Sequence, residues 1–459
     1  MMHLSLLALA TVCTGDSWIQ AAEAALAPFD RKDAPGGAVA VLVDGNAVWT
    51  FTYGMADLES DLAVTRESRF YLASLAKPFT AACVVHAATH SGLELDSSLH
   101  ELFPELPESY GAATLRHCLH HRSGIPDVYD ATIGAELDHS VIASNANAIE
   151  LLGQLPNLTF SPGSSFLYSN SGYVLLAEAI ERVTKSDLAT YAQAHCFGPL
   201  GMEQAAYVGD ERFPILPVSY SSNNDYWEPR EPETGLRGPG GLMMSLADLI
   251  KWEEAWTAGA WGDENLRAEL VKAPLPPHHP KLGPYAAGWM LPTIGGLRAE
   301  RHNGEAFGHS ADLLRFPDTG VSIIVLSNRA DVDAQDVSSA LAKIVLGERY
   351  QERGEQEGVS LNATQQATFG RLWTDPATRQ PWMLFPGEGR FMLISLGDIR
   401  LDLIATSPTR LEAVDSQSPF ALTLDDSSLV IEQEGATDIR LRRAPFPPTE
   451  VSPLSDYVG

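Results

Sequence analysis

Residues 70–80 have the sequence FYLASLAKPFT, in which a serine and a lysine stand three positions apart. On a helix such residues share a face, so the Ser74 hydroxyl and the Lys77 amine would lie side by side. A serine hydroxyl becomes a strong nucleophile when a neighbouring base removes its proton. A lysine can be that base when burial lowers its pKa, and the flanking apolar residues favour burial. The stretch therefore predicts a nucleophilic serine with a lysine base.

Pro78 indicates where this helix begins. Proline lacks an N–H and fits the first turn of a helix, so Ser74 is expected at or near the helix N-terminus. The helix dipole would there favour an alkoxide and disfavour a charged Lys77. On its own, however, an S-x-x-K pattern arises often by chance, and an ordinary helix start with a solvated lysine explains it better. Other parts of the chain have to distinguish the two.

The composition limits the classes of function. The chain has 459 residues, enough for two domains, and 31 basic against 59 acidic residues give a net charge of −28. Such acidity argues against nucleic acid or an anionic membrane as a partner. No apolar run approaches a membrane span, no cofactor is indicated, and a homo-oligomer is compatible with the sequence. The scattered cysteines predict buried free thiols without a disulfide framework: Cys13, Cys83, Cys118 and Cys196.

Residues 1–16 form an N-terminal extension. Leu4–Cys13 is apolar and long enough for the hydrophobic part of a signal segment, although no Lys or Arg precedes it. We expect export to the periplasm or the medium, with the cytoplasm as the alternative.

The pattern of residues 17–347 predicts an α+β domain with an antiparallel sheet, flanking helices and an all-helical subdomain. A first helix and a hairpin around Asp44-Gly45 precede a long helical insertion. Three further strands and a last helix follow, so the sheet would be built from both ends of the segment. The corresponding ranges are Ser17–Phe29, Ala38–Gly54, Leu297–His302, Ala311–Phe316, Ser322–Leu326 and Asp333–Leu346.

The last quarter of the chain has a different pattern. Residues 348–357 are polar and charged and predict a linker. Residues 358–446 alternate short apolar runs with turn residues, which predicts a small all-β barrel or sandwich. Residues 447–459 would form a second linker and the start of a further β domain.

Two further motifs accompany Ser74 and Lys77. Tyr168-Ser169-Asn170 lies where a loop is expected to enter a helix, and a tyrosine there can hold a phenolate or relay a proton. His302-Asn303-Gly304-Glu305 leaves a predicted strand, and Gly304 would let a substrate backbone approach the sheet edge. Each of these alone is more simply an Asn-capped turn or a plain strand end.

Together, in this order and at these spacings, the three motifs resemble the serine β-lactamase and penicillin-recognising family. Its members carry S-x-x-K, Y-x-N and K-T-G or H-x-G, and the resemblance covers residues 17–347. It implies that Ser74 is the acylated nucleophile and Lys77 its base. It also implies proton transfer by Tyr168, substrate orientation at Asn170 and Gly304, and an oxyanion hole from the N–H groups of Ser74 and Glu305. His302 replaces the lysine of K-T-G, which points away from typical β-lactamases.

The all-β tail resembles the D-aminopeptidase branch of the family, in which β-barrels follow the catalytic domain. By that resemblance we expect a serine hydrolase that releases an N-terminal D-residue from a small or short peptide substrate, with the β domain shaping substrate choice. A carboxylesterase of the same fold is the alternative. From another class, a penicillin-binding or sensor module that is acylated without turnover is also considered.

Two competing sites fit the sequence less well. Residues 308–312, GHSAD, nearly match the G-x-S-x-G nucleophile elbow, but that elbow needs a strand before it and a helix after it. Here a strand is expected to follow. His117, His120 and His121 have no cysteine or carboxylate at zinc spacing, so capping or core histidines are expected and no metal site is predicted.

Overall fold

The computed structural model divides the chain into two compact units, residues 1–353 and 354–459. It describes residues 17–134, 142–223, 226–230, 232, 235–274, 284–351, 358–369, 372–376, 381–387, 390–395, 399–414, 420–425, 428–433 and 439–443. The predicted extension 1–16, most of the linker 348–357 and the tail 447–459 lie outside these residues. The α+β class with a β-lactamase-like domain and a following β-barrel is confirmed.

The first unit is a mixed α+β fold. Its strands are β1 Gly37–Val43, β2 Asn46–Tyr53, β3 Met55–Asp57, β4 Leu62–Ala63, β5 Arg69–Tyr71, β6 Ala206–Tyr207, β7 Ser219–Asn223, β8 Tyr226–Arg230, β9 Leu242–Ser245, β10 Thr293–Ile294, β11 Leu297–Arg298, β12 Glu300–Ala306, β13 His309–Phe316 and β14 Val321–Ser327. Its helices are α1 Ser17–Leu26, α2 Lys77–His90, α3 Leu99–Leu102, α4 Leu115–Leu119, α5 Val128–Gly134, α6 Asn145–Gly153, α7 Asn170–Thr184, α8 Leu188–Ala192, α9 Leu246–Ala258, α10 Glu264–Leu270 and α11 Ala334–Leu346.

The main sheet is five-stranded and antiparallel, in the order β12-β13-β14-β1-β2. It therefore joins the two ends of the unit, as the sequence predicted. Asp44 and Gly45 turn between β1 and β2 with φ values of 48° and 79°. These left-handed values are those of a two-residue hairpin turn, which explains why the Asp-Gly pair marked the hairpin.

Both faces of the sheet are covered, so its central strands β13, β14 and β1 are buried along their whole length. Alternate residues of β1 enter two different cores, because successive side chains of a strand point to opposite faces. Ala38, Ala40 and Leu42 pack toward α2, α7 and α9, whereas Val39, Val41 and Val43 pack toward α1 and α11. The segment that carries Ser74 thus lies on one defined face of the sheet.

One predicted strand is wrong in its bounds. The sequence placed a strand at Leu297–His302, but Leu297–Arg298 pairs with β10 in a separate hairpin. The edge strand of the main sheet instead runs over Glu300–Ala306. The H-x-G motif therefore lies within this strand and not beyond its end.

The second unit is a closed eight-stranded barrel preceded by helix α12 Ala363–Phe369. Its strands are β15 Leu372–Thr374, β16 Pro381–Pro386, β17 Phe391–Ser395, β18 Ile399–Ser407, β19 Arg410–Ala413, β20 Phe420–Asp425, β21 Ser428–Gln433 and β22 Ile439–Arg443. Pairing of β15 with β22 closes the barrel and leaves no open edge. Inward side chains such as Trp373, Leu393 and Leu422 fill it.

Within the described ranges, no helix is long and apolar enough to cross a membrane. The three cysteines in those ranges, Cys83, Cys118 and Cys196, are buried and free, as the sequence predicted. Cys13 lies outside the described residues.

Candidate active site

The nucleophile turn connects β5 to α2. Ser74 lies in a short 3₁₀ turn, Ala73–Ala76, and the α-helix begins directly after it at Lys77. Pro78 occupies the first turn of the helix, as expected from its missing N–H. Ala73 adopts a left-handed φ of 46°, which is unusual for a residue with a side chain. Such strained backbone tends to occur where geometry serves a function.

Lys77 is fully buried beside Ser74. Its Nζ lies 3.0 Å from Ser74 Oγ, 3.0 Å from Asn170 Oδ1 and 3.0 Å from the carbonyl oxygen of Pro239. Burial lowers the pKa of Lys77 to about 7, and the negative charge of Asp127 opposes this shift. The amine is therefore substantially neutral near neutral pH.

The three contacts of Lys77 define the direction of its lone pair. The amide oxygen of Asn170 and the carbonyl oxygen of Pro239 can only accept hydrogen bonds. In a neutral amine they take the two N–H groups, and the lone pair is left for the hydroxyl of Ser74. This is the arrangement that a general base needs toward a nucleophile.

Asn170 begins helix α7, and Asp127 holds that helix start. The carboxylate of Asp127 accepts hydrogen bonds from the backbone N–H groups of Asn170 and Tyr129, the latter at 2.8 Å. A carboxylate at a helix N-terminus is stabilised by the free N–H groups and by the dipole. Asp127 is thereby fixed close enough to Lys77 and Tyr168 to affect both of their pKa values.

Tyr168 faces Lys77 from the opposite side of the site. Lys77 Nζ lies 4.7 Å from the centre of its ring. Burial raises the pKa of the Tyr168 hydroxyl, and a hydrogen bond with Ser74 opposes the rise. A resting phenolate, one of the two states considered from the sequence, is therefore disfavoured, whereas a neutral hydroxyl remains able to relay a proton. The ring is stacked on His121, whose Nδ1 accepts a hydrogen bond from the N–H of Ser169 at 3.1 Å.

His302 lies in β12 and is almost fully buried, with 1% of its surface exposed. Its Nδ1 is 2.7 Å from the carbonyl oxygen of Asn303, and its Nε2 is 2.8 Å from the hydroxyl of Tyr285. Burial, and then the charge of Lys77, lower the pKa of His302 to about 3. The centres of the His302 and Tyr168 rings are 6.5 Å apart.

Gly304 allows the edge strand to touch the nucleophile turn. A Cβ at this position would lie 2.0 Å from the carbonyl oxygen of Leu72 and 2.8 Å from the nitrogen of Ser74. Only glycine fits so close an approach. The expectation that this glycine makes room for a substrate backbone was thus incomplete, because the enzyme's own turn takes the space. Glu305 follows in the same edge strand with an exposed side chain.

The competing sites have ordinary structural explanations. Ser310 lies within β13 and is buried, and its Oγ accepts a hydrogen bond from the N–H of Ala334 at the start of α11. No nucleophile elbow exists at this serine. His117 caps α4 through Thr114, and His120 Nδ1 lies 3.2 Å from the carbonyl oxygen of Tyr285. In the described ranges no group of three or more His, Cys, Asp or Glu could hold a metal ion.

The geometry agrees with a sequence comparison. A profile of the β-lactamase family matches residues 18–346. The chain belongs to the β-lactamase family. It is a serine hydrolase of this family, and the resemblance inferred from the three motifs is confirmed.

Named relatives of the chain within the family are distant. It is 26% identical over 435 residues to penicillin-binding protein 4* of Bacillus subtilis, covering 88% of this chain and 94% of the relative. It is 26% identical over 450 residues to D-aminopeptidase of Gluconobacter oxydans, covering 96% and 82%. It is 28% identical over 345 residues to D-aminopeptidase of Brucella anthropi, and this alignment covers 75% of this chain and 64% of the relative's length.

Solved structures support the fold. The D-amino acid amidase of Ochrobactrum anthropi SV3 in complex with D-phenylalanine superposes with a TM-score of 0.60 at 20% identity, covering 72% of this chain and 98% of that one. The octameric penicillin-binding protein homologue of Pyrococcus abyssi gives 0.63 at 18% identity, with coverages of 93% and 98%.

Three groups at the site were not identified from the sequence. The Pro239 carbonyl belongs to the Gly238-Pro239-Gly240-Gly241 segment, whose composition indicates only a turn. Tyr285 stands among apolar and small residues, and no polar neighbour in the sequence points to it. Asp127 directly follows Ser123-Gly124-Ile125-Pro126, and a carboxylate leaving such a turn is the signal that could have indicated a helix cap.

Proposed function

We propose that the protein hydrolyses small amide or short peptide substrates through an acyl-enzyme on Ser74, releasing an N-terminal D-residue as a D-aminopeptidase does. The observation that carries the chemistry is the 3.0 Å contact between Lys77 Nζ and Ser74 Oγ, with the pKa of Lys77 lowered to about 7. A base with a pKa near the working pH is the most effective proton acceptor.

The first half of the reaction follows from this contact. Ser74 Oγ attacks the substrate carbonyl carbon while Lys77 takes the hydroxyl proton. The N–H groups of Ser74 and Glu305 stabilise the oxyanion that forms. Tyr168 then passes its proton to the leaving amine and receives in return the proton that Lys77 holds. The C–N bond breaks, and an ester to Ser74 remains beside a neutral Lys77.

The second half reverses the roles of the same groups. Water attacks the ester and gives a proton to Tyr168 as Tyr168 passes its own proton to Lys77. Lys77 then returns a proton to Ser74 Oγ, which leaves as a restored hydroxyl, and the acid product is released. Asn170 orients both Lys77 and the substrate, because its side-chain oxygen accepts a hydrogen bond from Lys77 while its side-chain Nδ2 can donate to the substrate. The neutral, protonated Tyr168 fits a group that only relays protons.

The choice of D-residues is supported by the named relatives and by the order of the units. Two D-aminopeptidases align with most of this chain, and one alignment spans 450 residues, which includes the barrel region. A penicillin-binding protein aligns equally well, so the preferred substrate class needs a direct test.

The test is a panel of chromogenic substrates on the purified chain. D-alanine and L-alanine 4-nitroanilides should differ in kcat/KM, with the D-form at least tenfold faster. Higher kcat/KM on a short-chain ester than on either anilide would make the protein a carboxylesterase. A single burst without steady release would make it a module that is acylated without turnover.

A further inference from the structure

Two hydrogen bonds determine which nitrogen of His302 carries a proton. The carbonyl oxygen of Asn303 can only accept, so the Nδ1 atom, 2.7 Å away, must donate to it. A neutral imidazole has one N–H, so Nε2 then carries a lone pair. The Tyr285 hydroxyl, 2.8 Å from Nε2, can interact with that lone pair only as a donor, and it also contacts the hydroxyl of Tyr173. Both ring nitrogens are thereby occupied by protein groups.

The surroundings of the ring reinforce the neutral state. Tyr285 and His302 are each 1% exposed, and Lys77 lies close enough for its charge to lower the pKa of His302. A second proton on His302 would displace the hydrogen bond from Tyr285 and would be repelled by Lys77. Tyr285 is itself packed against His121 and Phe166, which fix the plane of its ring.

His302 lies on the leaving-group side of the site. It is two residues from Gly304 on the same face of the edge strand, the face that meets Ser74. Its ring is near Tyr168, which under the proposed function protonates the leaving amine. A carboxylate attached to the leaving group would therefore meet an uncharged ring whose nitrogens are both occupied, where the K-T-G members of the family carry an ammonium.

We propose that Tyr285 is a positioning residue that holds His302 as the neutral Nδ1–H tautomer, so that the edge strand offers no cation to a carboxylate on the leaving group. This inference rests on the proposed hydrolase function and narrows its substrates. The preferred leaving groups are uncharged, such as those of amides, esters and amidated peptides. Substrates with a carboxylate beside the scissile bond, including free dipeptides and lactams with a ring carboxylate, are disfavoured.

The substrate test compares two acyl-matched anilides, D-alanine 4-nitroanilide and D-alanine 3-carboxy-4-nitroanilide. The wild-type enzyme should prefer the neutral anilide at least tenfold in kcat/KM. His302→Lys should reduce this preference at least tenfold, because it places an ammonium where the neutral ring lies. Tyr285→Phe should reduce it severalfold, because the freed Nε2 can take a proton when a carboxylate binds beside it.

The matched control is Tyr191→Phe. Tyr191 makes the same kind of pair outside the site, with its hydroxyl 2.9 Å from His86 Nδ1. Its removal should leave the preference unchanged. Equal rates of the wild-type enzyme on the two anilides would overturn the inference.

A second measurement does not depend on turnover. Nitrogen NMR of protein labelled at histidine should show His302 with a protonated Nδ1 and an unprotonated Nε2 at neutral pH, and Tyr285→Phe should shift the Nε2 resonance. A protonated Nε2 in the wild-type protein would overturn the inference. If neither anilide is hydrolysed while the tautomer is as stated, the proposed function fails and the positioning role of Tyr285 stands.

Discussion

Two buried cations in the first unit, Lys77 and Arg301, have opposite surroundings. Arg301 forms a two-point ion pair with Asp312, at 2.9 and 3.1 Å, and also donates to Ser338. Lys77 forms hydrogen bonds only with uncharged oxygens. The carboxylate of Asp127, whose charge acts on Lys77, accepts hydrogen bonds from two backbone N–H groups. Both side chains are almost completely buried.

The difference shows how the same burial produces either structure or reactivity. A buried guanidinium with a bidentate carboxylate partner holds elements together, here β12, β13 and α11. A buried amine without such a partner loses its proton easily and becomes a base. Each cation also has a serine beside it, Ser74 next to Lys77 and Ser338 next to Arg301, which makes the two clusters comparable in experiment.

Substitution of the two serines should separate the clusters most strongly. Ser74→Ala should reduce kcat by at least about 10⁴-fold and abolish labelling by a serine-directed phosphonate, because it removes the proposed nucleophile of the acyl-enzyme. Ser338→Ala should keep both and lower the free energy of unfolding by about 1–3 kcal/mol, since it leaves Asp312 with an unmet hydrogen bond. Mass spectrometry of the labelled peptide and denaturant unfolding measure the two outcomes. Labelling that persists in Ser74→Ala would contradict the assignment, and Ser310→Ala should label normally.

The next effect concerns the proton on Lys77. Because its pKa is lowered to about 7 and the neutral amine is the base, kcat/KM should rise with pH on a limb near 7. Lys77→Arg cannot lose its proton and should be slower by about 10³-fold or more across the whole pH range. Steady-state rates of both proteins from pH 5 to 9 check this. An arginine variant with near-normal turnover would exclude lysine as the base.

A stability measurement separates the two cations directly. Arg301→Met should lower the free energy of unfolding by about 3–5 kcal/mol, because it leaves the buried Asp312 carboxylate unpaired. Lys77→Met should instead raise it at pH 6 by about 1–4 kcal/mol, since it removes a buried charge that lacks a partner.

The increase in the free energy of unfolding caused by Lys77→Met should become smaller as the pH rises. Below about pH 7 the lysine is charged in both the folded and unfolded protein, so the folded state bears the full cost of the buried charge. Between about 7 and 10.5 only the unfolded chain keeps the proton, and the cost falls as pH rises. Urea unfolding of both proteins at pH 6 and pH 9 should therefore show the larger gain at pH 6.

The smallest effect is expected at Asp127. Its charge raises the pKa of Lys77, so Asp127→Asn should move the acidic limb of the pH profile to lower pH by less than one unit. The amide oxygen can still accept one of the two backbone hydrogen bonds, which keeps the helix start in place. A limb that moves to higher pH would show that Asp127 acts on another group.

The sequence predicted those features that depend on local chemistry. Ser74 and Lys77 are three residues apart on one turn, and Asp44-Gly45 alone defines its hairpin, so neighbouring residues carried enough information. The strand at Leu297–His302 was misplaced because Asn303, Gly304 and Glu305 have low strand propensity, and sheet pairing with β13 overrides it. Tyr285 and Asp127 were missed because their contacts join segments 17 and 43 residues apart, which no short motif records.

Barrel closure was likewise beyond the sequence. Alternating runs indicated several strands, but a barrel and a sandwich have the same alternation. The pairing of Thr374 with Arg442 that distinguishes them joins the two ends of the unit.

The pairing of β1 with β14 has a consequence for synthesis of the protein. Gly37 and Ser327 are neighbours in the sheet although 290 residues separate them in the chain. The chain is synthesised from its N-terminus, so the sheet that contains β1 cannot form completely until β12, β13 and β14 have been translated. High contact order of this kind slows folding. Because Gly304 of β12 packs against the Ser74 turn, the nascent chain carries Ser74 early but completes the proposed active site around it only near the end of translation of this unit.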